Sequence, residues 1–245
     1  MQSTTSHTQH THAVTEGRRF REVFFRPYRS SDLQAVRRIC ADTGFLGQPI
    51  DPVFEDRELF TDYLTGYHTR FEPDALLVCE VRGAVRGYLM GCRRPLLKQT
   101  YQVFANVVVA AKALYRCYRR PYNHASRAFL RWVLLNSWRE VPVAPRKTPH
   151  LHINLLPDAR SVKNTRALIR TFLDFLRDHG HDKVYGQVVT YGARRKESLF
   201  NRYGFRVIDS VEVTKYRALY GGQVLLCTVL KDLRAPGSTG REHRI

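Results

Sequence analysis

The chain has 245 residues, 43% of them apolar, which is enough to bury the core of one large domain, with or without an insertion, and excludes an intrinsically disordered chain. No stretch approaches the roughly 20 apolar residues that a spanning helix needs, and the N-terminal MQSTTSHTQHTHAVTEGRR lacks the apolar centre of a signal peptide. A soluble, cytoplasmic protein is expected. The net charge of +18 is unevenly spread, for between Arg93 and Lys147 twelve Lys and Arg stand against one acid, Glu140. Such a patch concentrates anionic partners, whether phosphates, nucleic acid or an anionic membrane face.

Residues 1–18 are rich in Ser, Thr and His without apolar periodicity, and are expected to form a mobile tail. FREVFFRPYR alternates as a strand does. SSDLQAVRRICADTG follows as a helix, with Ser30 or Ser31 as N-cap, Leu33, Val36 and Ile39 on one face, and Gly44 as its stop. RELFTDYLTGYHTRF predicts a second helix ending near Glu72-Pro73, and DALLVCEVRGAVRGYLMGCRR predicts two antiparallel strands joined across Gly83.

Residues 95–149 break this rhythm. VFANVVVAAKALYRCYRR and SRAFLRWVLLNSWRE read as helices and VPVAPRKTP as a proline-rich connector, so the segment is taken as a helical insertion. Strand HLHINLL then leads through LPDARSVKN into a helix over 165–179. Strand DKVYGQVVTY, a short helix ARRKESLFNRYG, and closing strands FRVIDSVEVTKY and GGQVLLCTVLKDL complete the domain, 19–233, with 234–245 as a flexible tail. The five cysteines are odd in number and widely spaced. They suggest neither a disulfide framework nor a zinc site, and read as buried thiols in a reducing compartment.

Two places carry chemistry. On HLHINLL, period-two alternation puts His150, His152 and Asn154 on one face and Leu151, Ile153 and Leu155 on the other. Of these, only a histidine accepts a proton near neutral pH. Two histidines without a third ligand do not make a metal site, and the His7, His10, His12 group of the tail offers only adventitious metal binding. The strand-loop-helix junction that follows places unpaired backbone N–H groups at the positive end of a helix dipole, which suits a pyrophosphate. The other reading is a solvated basic helix start capped at Asn164.

"Leu-Pro-Asp-Ala-Arg160" with Lys163, Thr165 and a helix beginning Arg166-Ala167-Leu168 resembles the acyl-CoA pyrophosphate loop, R/Q-x-x-G-x-G/A, of the GCN5-related N-acetyltransferases. LFNRYGF, 199–205, is similar to that family's helix ending in x-Y-x-x-x-G-F. The resemblance covers roughly residues 22–233, with 95–149 as an extra piece. It implies an α/β fold with a mixed central sheet flanked by helices, and acetyl-CoA-dependent N-acetyl transfer by direct attack on a small-molecule or protein amine.

It further implies that the backbone of Leu155 and Leu156 pairs with the pantetheine arm. Arg160, Ser161, Val162, Lys163, Asn164, Thr165 and Arg166 hold the pyrophosphate, and His152 or Asn154 occupies the position of the base. The chain departs from the pattern where Lys163 and Thr165 replace glycines and where Phe200 occupies the position of the tyrosine that protonates the thiolate. Tyr203 and Tyr191 are the nearby substitutes. A CoA-binding module without turnover, and nucleic-acid or anionic-membrane contact through the basic segment, are the competing expectations.

Overall fold

The computed structural model describes residues 23–192 and 200–234. The first strand, β1 (Val23–Pro27), ends in an ion-paired hub: the Arg26 guanidinium donates to Asp32 at 2.8 Å and 3.0 Å and to Glu80 at 2.8 Å. Asp32 also accepts from the Arg29 amide. This carboxylate ends the turn at Ser30–Asp32, which is 3-10, so neither serine caps the helix and α1 begins later than its sequence suggests, at Leu33–Asp42. Helix α2 (Arg57–Phe71) is capped by Asp56, whose carboxylate accepts from the Leu59 amide.

Strands β2 (Leu76–Val81) and β3 (Ala84–Cys92) form the expected hairpin, with Arg82 and Gly83 both at positive φ, as a tight turn matched to sheet twist requires. Helices α3 (Pro95–Arg119) and α4 (His124–Leu135) follow, then β4 (His150–Leu155), α5 (Val162–Asp178), β5 (Lys183–Tyr191), β6 (Arg206–Glu212) and β7 (Val224–Asp232). The helix expected over 193–204 lies largely outside the described residues, as do the expected tails apart from Arg234.

The seven strands make one mixed sheet in the order β1-β2-β3-β4-β5-β7-β6, in which only β4 and β5 run parallel. Apolar side chains of α5, with Leu168 and Phe172 fully buried, cover one face against Leu89, Leu151 and Leu155. Val36, Ile39 and Cys40 of α1 cover the other against Val78, Tyr88 and Met90. Helix α3 lies outside α2, tied to it by ion pairs of Lys112 with Asp62 and of Arg116 with Asp56 and Glu58. Cys40, Cys79, Cys92 and Cys227 are buried free thiols. Among the described residues no His, Cys, Asp and Glu group could hold a metal ion, and no helix is long and apolar enough to cross a membrane.

Candidate active site

Alternation along β4 divides its chemistry as its residues predict. Leu151 and Leu155 enter the α5-side core, while His150, His152 and Asn154 face the α1 and α2 side. Asn154 is committed there: its Nδ2 donates to the Tyr88 hydroxyl at 2.9 Å. Tyr88 is fully buried, and burial pushes its hydroxyl far above the ordinary tyrosine range. His152 is half-buried, with its ring centroid 6.3 Å from that of Tyr88.

A cluster that sequence reasoning missed continues this face. The His150 Nδ1 accepts from the Lys98 ammonium at 3.1 Å, which makes His150 a neutral imidazole, and burial followed by the Lys98 charge holds its pKa well below the ordinary histidine value. His68 donates from Nδ1 to the Gly91 carbonyl at 2.7 Å, its ring 5.9 Å from that of His150, and burial pushes its pKa down to about 3. Glu72, wholly buried, accepts from the amides of Arg93 and Arg94 at the start of α3 and so sets the helix from which Lys98 reaches β4. No local pattern in the sequence links Glu72, Lys98 and His150.

β4 and β5 pair only at His150 with Tyr185 and Leu151 with Gly186, then part, although both strands continue. Backbone groups of a strand point alternately to its two neighbours. The Leu156 amide donates to the Arg86 carbonyl, which continues from β3, and the Pro149 carbonyl accepts from Tyr185 on β5. By that alternation Ile153 and Leu155 turn their N–H and C=O toward the gap. Ile153 thus replaces Leu156 in the expected open edge, because Leu156 is already bonded on the other side.

At the top of the gap, α5 starts at Val162 rather than Thr165. Its N-cap is Ser161, whose Oγ accepts from the Asn164 amide at 3.0 Å. Asn164 is not the cap: its side chain donates to the Ala159 carbonyl at 2.7 Å and is buried. Thr165 donates its N–H to the Ser161 carbonyl, which leaves the first-turn amides of Val162 and Lys163 without an intrahelical acceptor. Neither Lys163 nor Thr165 has positive φ, so the missing glycines cost no backbone strain.

Lys163 and Arg166 are exposed. The Arg160 guanidinium instead turns inward, donating to the carbonyls of Leu155 and Gly47 and bracing the loop.

Phe200 is buried in the α5-side core and the ring of Tyr203 packs against it, so both stand on the face opposite His152. Tyr191 donates to the Leu46 carbonyl at 2.8 Å. The expected substitutes for the missing tyrosine are thus occupied in packing and loop anchoring.

No protein-family model and no curated protein matches this sequence. Solved structures do. The crystal structure of SsHAT is 22% identical with a TM-score of 0.56, covering 87% of this chain and 99% of that one. A GCN5-related N-acetyltransferase from Kribbella flavida is 14% identical with a TM-score of 0.50, covering 86% and 97%. The chain has the fold of the GCN5-related N-acetyltransferases. The parted β4 and β5 and the capped start of α5 sit within that fold, on the residues whose motifs resemble the family.

Proposed function

We propose that the chain is an acyl-CoA-dependent N-acyltransferase, most simply an N-acetyltransferase, that transfers the acyl group directly to an amine. The observation that carries this reading is the gap between β4 and β5, toward which Ile153 turns its N–H and C=O and Leu155 its N–H, beside the face bearing His152, while the Leu155 carbonyl is held by Arg160. Those groups fit an amide-bearing pantetheine arm, which can hydrogen-bond to a strand edge. The amides of Val162 and Lys163, with the Lys163 and Arg166 side chains, fit a pyrophosphate. Bound acetyl-CoA supplies an activated acyl carbon.

His152 is the group on this face suited to take a proton from the incoming ammonium, directly or through one water, because imidazole accepts protons near neutral pH. Burial, and after it the adjacent Lys98 charge, keeps the His150 ring neutral with a pKa well below the ordinary value, which leaves the basic role to His152. Direct attack follows from the thiols. Cys40 and Cys79 are raised to about 11 and Cys92 to about 12, chiefly by burial, so none of the three offers a thiolate for an acyl-enzyme.

The same reading takes 19–233 as one catalytic domain with 95–149 as an insertion that reaches the acceptor side through Lys98. The buried free thiols suit a cytoplasmic setting.

The test is thermal stabilisation by CoA and acetyl-CoA, followed by release of free CoA thiol in the presence of a panel of amines. We expect a rise in melting temperature with either ligand and turnover with at least one amine. His152→Ala should lower turnover by roughly 10² to 10⁴ while retaining CoA stabilisation. No stabilisation at millimolar CoA overturns the reading. Stabilisation without turnover across the panel favours a CoA-binding module.

A further inference from the structure

Helix α3 is apolar on two faces. Toward the protein Ala105 is buried, Val109, Ala113 and Cys117 pack against the core around Phe54 and Leu59, and Lys112 and Arg116 pair with the acids of α2. Leu96, Val103, Phe104, Val107, Leu114 and Tyr118 are 58, 68, 68, 66, 75 and 87% exposed. At 100° per residue these six fall within one arc of the helix, and every Lys and Arg of α3 falls outside it. The stripe runs most of the length of a 25-residue helix, on the order of 30 Å at 1.5 Å per residue. An uncharged apolar strip of that length is larger than the scattered exposed apolar residues of an ordinary soluble surface.

We propose that this face of α3 docks on an anionic lipid bilayer, lying in the interface and not crossing it. The occupant follows from charge. Arg94 caps the N-terminal end of the stripe and Arg119 and Arg120 flank its C-terminal end, and none of the three has an ion pair among the described residues. Apolar side chains buried at the level of the acyl boundary, with long cationic side chains reaching back to the phosphates, are the pattern of an interfacial helix.

A second copy is the poorer fit, because each copy brings Arg94, Arg119 and Arg120 to the ends of the same stripe with no ion pair among the described residues. The strip bears no cation of its own, so it does not match a phosphate backbone. Of the chain outside the described residues, 1–22, 193–199 and 235–245 hold no apolar run long enough to cover it. The proposal does not depend on acyl transfer.

The test is co-sedimentation of the full chain with phosphatidylcholine vesicles, with and without phosphatidylglycerol. We expect binding to the anionic vesicles, weakened by salt. The variant Val103→Gln, Val107→Gln, Leu114→Gln should lose on the order of a hundredfold in affinity, and Arg119→Gln, Arg120→Gln on the order of tenfold. Because all five positions are exposed, both variants should melt at the wild-type temperature. No binding to either vesicle overturns the proposal. So does unchanged binding by the glutamine triple variant, which makes the contact one of charge alone. A wild type that light scattering shows as a dimer, and a triple variant that is monomeric, also overturns it and assigns the face to a second copy.

Discussion

Helices α5 and α3 are both rich in apolar residues and in Arg and Lys, yet α5 buries its large apolar side chains while α3 leaves a long stripe of them outside. In α5 the apolar face is buried, with Leu168, Phe172 and Leu176 wholly enclosed, and the cations Lys163, Arg166 and Arg170 face out. In α3 one apolar stripe is exposed, while Ala105, Val109, Ala113 and Cys117 face in beside Lys112 and Arg116, which meet Asp62, Asp56 and Glu58. Hydrophobic periodicity therefore identifies a helix and its two faces but does not state which face meets the protein. That is decided by the neighbour: α5 meets an apolar sheet, and α3 meets the Phe54 and Leu59 cluster with a band of small apolar side chains edged by ion pairs to α2.

The contrast is broken most directly by truncating one apolar residue on each helix. Phe172→Ala should destabilise by about 3 to 5 kcal/mol, since it loses a wholly buried ring and leaves a cavity. Leu114→Ala, at a position 75% exposed, should change stability by less than about 0.5 kcal/mol. Equal effects in denaturant titration contradict the buried placement of Phe172 and the exposed placement of Leu114.

Arg116→Gln tests the polar seam of α3, and should cost about 1 to 3 kcal/mol because it leaves a buried carboxylate without its cation. Burial pushes Asp56 up, but hydrogen bonds from Tyr122, Arg116 and the Leu59 amide outweigh it, and the net pKa lies below the ordinary 3.8. A depressed carboxylate stabilises above its unfolded pKa and loses that stability as pH falls through the folded value. The gap in melting temperature between wild type and Arg116→Gln should thus be full at neutral pH and close below about pH 3.8. A gap that is constant with pH rules out the ion pair as its cause.

Lys163→Gly sharpens the α5 side and carries the smallest expected effect. Lys163 already has helical backbone, so glycine restores no conformation and costs up to roughly 1 kcal/mol in helix propensity. CoA affinity should fall several-fold and its salt dependence should flatten as one phosphate contact is lost. Tighter CoA binding by the glycine variant means that close approach of the phosphate, not charge, limits the site.

Much of this fold was legible because its signals are local. The β2–β3 hairpin is written in Arg82-Gly83, the faces of β4 in the alternation of HLHINLL, and the order of elements from β4 to β7 in runs that each state their own period. Errors at the borders have physical causes. Ser161 rather than Asn164 caps α5, because the Asn164 side-chain Nδ2 donates to the Ala159 carbonyl, and the Asp32 network delays α1 past both serines. Arg160 is legible as a loop residue, but not as one that spends its guanidinium on Leu155 and Gly47, since Gly47 is distant in sequence.

What the sequence alone determined is the succession of strands and helices, the histidine-bearing face of β4 and the phosphate-suited start of α5, all set by interactions within a few residues. Tertiary structure alone decided that β4 and β5 part after two pairs, that Ile153 faces the gap, that Lys98 meets His150, and that α3 leaves one apolar stripe outside. Each of these depends on groups far apart in the chain whose meeting is governed by sheet order and helix docking, and no local periodicity encodes them.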